Sequence, residues 1–159
     1  MPSNPVTLDQ FRTSLLAVLE ETFESVQGIY LDKRTSLFET LDGISAEDAS
    51  RAPSASRSTI AAHVYHLCFY LDVLLRSIRA EAAGKVDWKE SWKVQRVAKD
   101  EWDALRARCR QAYTDVLAVV KGMDAWDRPD DVTDSIAILA HTAYHLGAIR
   151  LAAGVVSRD

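Results

Sequence analysis

The sequence predicts an all-α fold, namely a four-helix bundle with an additional short helical segment between helices 1 and 2. Apolar residues recur at intervals of three and four along four long stretches, as on one face of an α-helix. No stretch alternates apolar and polar residues in the manner of a half-buried strand. Residues 1–159 suit a single domain with a substantial core, and residues 1–6 are expected to form a flexible N-terminal tail.

The first helix has a clear predicted start and a less definite end. Thr7 and Gln10 form a capping-box pattern, in which each side chain satisfies a backbone N–H group of the first turn. Gly28 is expected to end or break this helix, because glycine readily adopts the left-handed conformation found there. Two short helical pieces, at residues 37–41 and 45–48, are predicted to follow it.

The second and third helices carry the most regular apolar patterns. The second is predicted to begin near Ser56 or Ser58 and to end near Gly84. The third, over residues 102–123, keeps a strict alternation of three and four between its apolar positions. Both patterns describe helices that bury one face against the rest of the bundle.

The fourth helix, capped by Thr133 or Asp134, is apolar nearly all round. From Ser135 to Val156 its only charged side chain is that of Arg150. Such a helix is buried on more than one side, so it lies centrally or also faces a second subunit. We therefore expect a homodimer.

Residues 85–98 form an unusually long connection between the second and third helices. Long connections in compact domains are often covers over functional sites. This one contains Trp88 and Trp92, for which the simpler expectation is packing across one end of the bundle. A functional cover is the alternative.

Composition and charge exclude several classes of partner. The net charge is −4 with no long run of either sign, and Arg106, Arg108 and Arg110 alternate with uncharged residues, so a nucleic-acid groove is not expected. No apolar run is expected to span a membrane, and residues 1–5 lack the pattern of a signal peptide. We expect a protein whose partner is a small-molecule substrate.

The two cysteines indicate a cytoplasmic protein. Cys68 and Cys109 both lie in apolar helical patterns, as reduced core thiols do. A catalytic thiol is the alternative, but neither cysteine has an evident base beside it in the sequence.

All four histidines lie in two places, which together predict a metal site. His141 and His145 are four residues apart, so on a helix both rings leave the same face about one turn apart. Two imidazoles at that spacing can bind one metal ion, and His63 or His66 of the second helix can supply a third ligand. Counted from the centre of the apolar stripe, His63 points further inward than His66, although both lie on a second stripe that can face an off-axis site.

These residues resemble a known family. Thr59-Ile60, His66-Leu67 and the segment His141 to Arg150 look like the corresponding motifs of the DinB/YfiT-like superfamily of metalloenzymes. The resemblance implies a DinB-like bundle holding a divalent metal ion, zinc or nickel, with His66, His141 and His145 as its ligands. It leaves the catalytic residues unknown. Tyr70, one turn after His66, and Tyr144, beside His145, can donate a hydrogen bond to a bound group, although tyrosines at such positions are more often packing residues.

The resemblance also implies a reaction class. Some members join low-molecular-weight thiols to electrophiles, and others isomerise maleylpyruvate with a thiol cofactor. We therefore expect thiol-dependent S-transferase chemistry with a low-molecular-weight thiol as cosubstrate. The alternatives are a metal-dependent hydrolase and a non-catalytic, stress-related binding module with a structural or vestigial metal site.

Overall fold

The computed structural model describes residues 5–81, 84–123, 126 and 128–157. Within those residues every regular element is a helix, which confirms the predicted all-α class. The elements are α1 (Leu8–Phe23), α2 (Leu37–Asp42), α3 (Ala46–Ser50), α4 (Ile60–Ile78), a 3₁₀ helix (Glu90–Trp92), α5 (Lys99–Gly122) and α6 (Asp131–Val156). Most of the predicted N-terminal tail lies outside the described residues, while Val6 at its end is exposed.

The four long helices form the bundle. Helices α1 and α4 each pack against both α5 and α6, and α3 closes one side by contacting α4, α5 and α6. Leu19, Leu67 and Ile149 are among the side chains that are fully buried between them. A buried hydrogen bond of 2.8 Å from Nε1 of Trp102 to the carbonyl oxygen of Ile44 joins α5 to the turn between α2 and α3.

Helix α1 ends at Phe23, before the predicted end at Gly28. The reason is that the loop after the helix folds back and donates hydrogen bonds to the buried carboxylate of Glu21. The side chain of Glu21 accepts four backbone N–H groups at 2.5 to 2.8 Å, those of Gln27, Ile29, Tyr30 and Leu31. Gly28 lies within this loop with φ of +84°, a conformation that favours glycine. The predicted end at Gly28 was therefore wrong, because the left-handed glycine serves the loop around Glu21 and not the end of the helix.

Helix α4 is shorter than predicted at both ends. It begins at Ile60, where the side chain of Thr59 caps it by accepting from the N–H group of Ala62. It ends at Ile78, because Ala80 adopts the left-handed conformation with φ of +54° and turns the chain away. Alanine carries no sequence signal for such a turn, which explains why the predicted end fell later.

Helix α6 begins at Asp131, so the predicted caps Thr133 and Asp134 lie inside the helix. The carboxylate of Asp131 accepts the backbone N–H of Arg128 at 3.1 Å. The Arg128 guanidinium in turn donates to the carbonyl oxygen of Ile78 at 2.7 Å, which ties the start of α6 to the end of α4. This start therefore depends on a contact between helices that the local sequence does not reveal.

By length and composition, α6 is also apolar enough to cross a membrane, with a mean hydropathy of 1.2 over an 18-residue window. The expectation that no run reaches this limit is therefore not met. Core helices of soluble proteins pass the same test, and α6 packs against α1, α3 and α4. Its outer face nevertheless exposes large side chains, with Tyr144 72% and Leu151 74% exposed.

Candidate metal centre

Three histidines converge between α4 and α6. One ring nitrogen from each of His66, His141 and His145 lies within 4.8 Å of those of the other two. His66 and His145 are buried and His141 is half-buried. The structure thus brings together the three residues expected to be ligands.

His63 lies beside this cluster as a hydrogen-bonding partner. Its Nδ1 atom is 3.0 Å from the Nδ1 atom of His145. One of these two rings must donate and the other accept, so the Nε2 atom of each ring remains for another partner. On the apolar stripe of α4 alone His63 points further inward, but His66 is the buried ring of the two because the connection between α4 and α5 packs over it.

That connection, which we call the cover segment (residues 84–98), packs directly on the histidines. The Trp92 ring stacks on that of His66 with centroids 4.1 Å apart and planes 18° apart, and it meets the ring of His63 edge-on at 5.4 Å. Trp88 is 45% exposed and touches Tyr70 beside the cluster. Trp92 therefore packs on helix α4 directly at the histidines, so that its packing contacts lie over one side of the cluster.

A short hydrogen-bond chain determines the tautomer of His66. The Ser91 hydroxyl donates to the carbonyl oxygen of Trp88 at 2.7 Å, and its oxygen lies 2.7 Å from Nδ1 of His66. A carbonyl oxygen can only accept, so the hydroxyl proton is committed and Ser91 accepts from His66. Nδ1 of His66 therefore carries the proton, and its Nε2 atom has the free lone pair that a metal ion needs.

His141 shows most directly that the cluster fits a metal ion. Its ring stacks on that of Tyr70 at 3.6 Å with planes 15° apart. Its Nε2 atom is buried without a hydrogen-bond partner among the described residues. An unsatisfied buried ring nitrogen is costly, and ligation of a metal ion removes that cost.

The electrostatics of the cluster keep its rings neutral at pH 7. Burial, reinforced by the charge that His66 would carry, lowers the pKa of His141 to about 4. Burial and the other histidines lower the pKa of His145 to about 3. Burial also lowers the pKa values of His63 and His66. Neutral imidazoles are the form that binds metal ions, so no proton has to be displaced at neutral pH.

The donor set narrows the choice of metal. In the described part of the chain, the cluster consists of imidazoles alone, with no carboxylate or thiolate in it. Imidazole nitrogens suit zinc, nickel, copper and iron better than calcium or magnesium, which prefer oxygen ligands. The cluster is therefore positioned to hold a divalent transition metal.

Open cavities beside the cover segment do not reach the histidines. One of about 500 Å³ is lined by Tyr65, Phe69 and Arg76 among others, and another of about 360 Å³ shares Tyr65 and Arg108 with it. Neither is lined by a histidine.

Sequence reasoning missed the partners of the ligands. Ser91, which holds His66, and the bond between His63 and His145 have no signal in the spacing of residues along the chain. The only available hint was the length of the connection that carries Ser91 and Trp92.

Fold and site together define a class, a four-helix bundle with a three-histidine cluster shared between two of its helices. The family model described as the DinB superfamily matches residues 30–149, a segment that includes all three histidines. The chain belongs to the DinB superfamily, which confirms the resemblance seen in its motifs. Comparison with curated proteins and with solved structures gives no match.

Proposed function

We propose that this protein is a metal-dependent enzyme that transfers a low-molecular-weight thiol to an electrophilic small molecule. The observation that carries the proposal is the cluster of His66, His141 and His145, three neutral imidazoles without a carboxylate among the described residues. A divalent ion held by such ligands stays cationic and, when bound, favours a thiolate over the neutral thiol. Membership of the DinB superfamily supports the same reading.

The reacting thiol has to come from a second molecule. Cys68 and Cys109 are both fully buried in the core and far too enclosed to meet a substrate. A hydrogen bond with Cys68 and burial raise the pKa of Cys109 well above its ordinary value, so this thiol is unreactive. In the proposed reaction the external sulfur forms a bond to an electrophilic carbon, the leaving group departs with its electron pair, and the thiol proton passes to solvent.

The surrounding side chains shape the site for such a reaction. Trp92 and Tyr70 lie flat against the rings of His66 and His141, where they exclude water and hold the rings in place. Tyr144 is 72% exposed and meets the ring of His145 edge-on at 5.0 Å, so it borders the cluster on the outer side of α6. The free thiols of the core also fit a protein of the reducing cytoplasm.

Cobalt offers the direct test of this proposal. We expect metal-free protein loaded with cobalt to show a thiolate charge-transfer band when low-molecular-weight thiols are titrated, and the same thiols to react with electrophiles in the loaded enzyme. The Cys68→Ser, Cys109→Ser double variant keeps the band and the activity, provided that circular dichroism shows it folded. His141→Ala loses both. A cobalt spectrum that no thiol perturbs contradicts the transferase and favours a hydrolase or a non-catalytic site.

We also propose that the protein is a homodimer joined through the outer face of α6. The face exposes the apolar residues Val132, Ile136, Tyr144, Leu151 and Val155. Gly147 lies among them with open space around its Cβ position, so a second helix can approach closely. Between Ser135 and Val156 the only charged side chain is that of the exposed Arg150, so this largely apolar face can pack against a second copy of itself across a two-fold axis.

Sedimentation at micromolar concentration is expected to give a dimer. Leu151→Glu places a charge in the interface and is expected to give monomers, whereas Val6→Glu, at a residue equally exposed but outside α6, leaves the dimer intact. A wild-type monomer contradicts the interface. A monomer that also co-sediments with phospholipid vesicles shows instead that the face meets a membrane.

A further inference from the structure

We propose that Ser91 is a positioning residue that couples the cover segment to the metal site, so that docking of the segment strengthens metal binding and metal binding holds the segment in place. This inference rests on the proposed metal site and adds a means by which the chain controls it. Its basis is the geometry around Ser91, a residue that is completely buried although the cover segment is mostly exposed.

Ser91 controls which nitrogen of His66 is available. Because its hydroxyl proton is committed to the carbonyl oxygen of Trp88, the oxygen can only accept from Nδ1 of His66. An imidazole freed from this bond exchanges between two tautomers and rotates about its side-chain bonds. Holding one tautomer in one orientation removes that freedom before a metal ion arrives.

The 3₁₀ helix that carries Ser91 also fixes the orientation of the His66 ring through a stacking contact. Trp92, the neighbour of Ser91, stacks on His66 at 4.1 Å, so the hydrogen bond and the stacking contact act on one imidazole from one short helix. The docked cover segment therefore sets both the tautomer and the orientation of His66. A shift of the segment releases both together.

Two further hydrogen bonds hold the segment without contacting the cluster. The carbonyl oxygen of Gln95 accepts from the Thr59 hydroxyl at 2.9 Å, and the N–H group of Val97 donates to the Ser50 hydroxyl at 3.0 Å. These bonds hold the C-terminal end of the segment, whereas residues 84–90 are almost all exposed. The Ser91–His66 bond and the stacking of Trp92 on His66 are therefore the contacts that join the middle of the segment to the metal site.

Coupling of this kind is reciprocal. If docking of the segment raises the affinity for a metal ion, binding of the ion must stabilise the docked segment by the same factor. A purely structural serine, which only completes a turn of the cover segment, predicts no such link. The two readings therefore differ in measurements that do not involve catalysis.

The test uses zinc alone with the full-length protein. Competition with a chromogenic chelator measures zinc affinity, and Ser91→Ala is expected to weaken it about tenfold or more, the usual effect of losing a partner of a metal ligand. Ser91→Thr keeps the hydroxyl and is expected to keep the affinity. Ser50→Ala removes an anchor at the other end of the same segment without touching His66, and is expected to weaken the affinity much less than Ser91→Ala, because the segment still holds His66 through Ser91 and Trp92.

Hydrogen exchange supplies the second readout. Zinc is expected to slow amide exchange across the cover segment in the wild-type protein and to have little effect on it in Ser91→Ala. An unchanged affinity in Ser91→Ala, an equal loss in Ser50→Ala, or wild-type exchange that ignores zinc each overturns the coupling. Failure of the wild-type protein to bind zinc or nickel at all rejects the metal site itself, a result distinguishable from these.

Discussion

Replacing His141 or His145 with alanine is expected to abolish stoichiometric binding of a divalent metal ion while leaving the protein helical. Loss of a partner that only orients a ligand already costs about 10- to 100-fold in affinity, so loss of a ligand costs more than about 100-fold. His66→Ala is expected to behave in the same way, because His66 completes the cluster from α4. Metal analysis of the purified variants measures the effect, and circular dichroism shows that the fold survives.

His63→Ala provides the matched control for His66→Ala, because it removes an imidazole that lies about one turn from His66 on the same helix, α4. His63 touches His145 but lies outside the cluster of three, so this variant is expected to keep stoichiometric binding with reduced affinity. Full metal content in both the His141→Ala and His145→Ala variants contradicts the site. Loss of metal in His63→Ala but not in His66→Ala contradicts the assignment of the ligand on α4.

Glu21→Gln is expected to lower the melting temperature at pH 7 by roughly 5–10 °C, through damage to a buried hydrogen-bond network. The carboxylate accepts four backbone N–H groups, and an amide offers one oxygen and places its own NH₂ among those donors. Glu20→Gln is the control, because its side chain is exposed on the neighbouring position. Thermal melts followed by circular dichroism compare the two variants, and equal melting temperatures contradict the role assigned to Glu21.

The contribution of Glu21 to the stability of the folded state is expected to decrease as the pH falls. Burial raises its pKa, but the four backbone donors outweigh burial and lower the pKa to about 2 from an ordinary value of 4.5. The carboxylate therefore stabilises the folded state fully above pH 4.5, and this contribution is lost as the pH falls from 4.5 towards 2. The difference in melting temperature between wild type and Glu21→Gln is expected to shrink across that window. If the difference in melting temperature does not change with pH, the loss of stability in Glu21→Gln comes from altered packing and not from loss of the carboxylate charge.

Local signals in the sequence predicted local structure well. The capping box of Thr7 and Gln10 forms as expected, and Ser45 caps the short α3. The apolar periodicity located all four long helices of the bundle. Such features depend on residues within one or two turns of each other, so a single sequence contains the information needed to predict them.

Signals that depend on distant contacts were misread or absent. The end of α1 depends on the loop that wraps around Glu21, and the end of α4 depends on Ala80 in a conformation that alanine seldom adopts. The start of α6 depends on Arg128 reaching the end of α4. In each case an interaction formed only in the folded chain outweighs the local preference.

The sequence by itself determined the helical bundle and the pair His141 and His145, because both follow from the period of one helix. It did not decide between His63 and His66, since the direction that counts as inward on α4 depends on which segments pack against it. Only the tertiary structure shows which of the two rings lies with His141 and His145: it is His66, on which Ser91 and Trp92 of the cover segment pack. The ring of His66 lies on the flank of the apolar stripe of α4 and is nevertheless buried and oriented. The reason is that every segment packed against a helix contributes to the burial of its side chains, and the sequence of the helix alone does not reveal those segments.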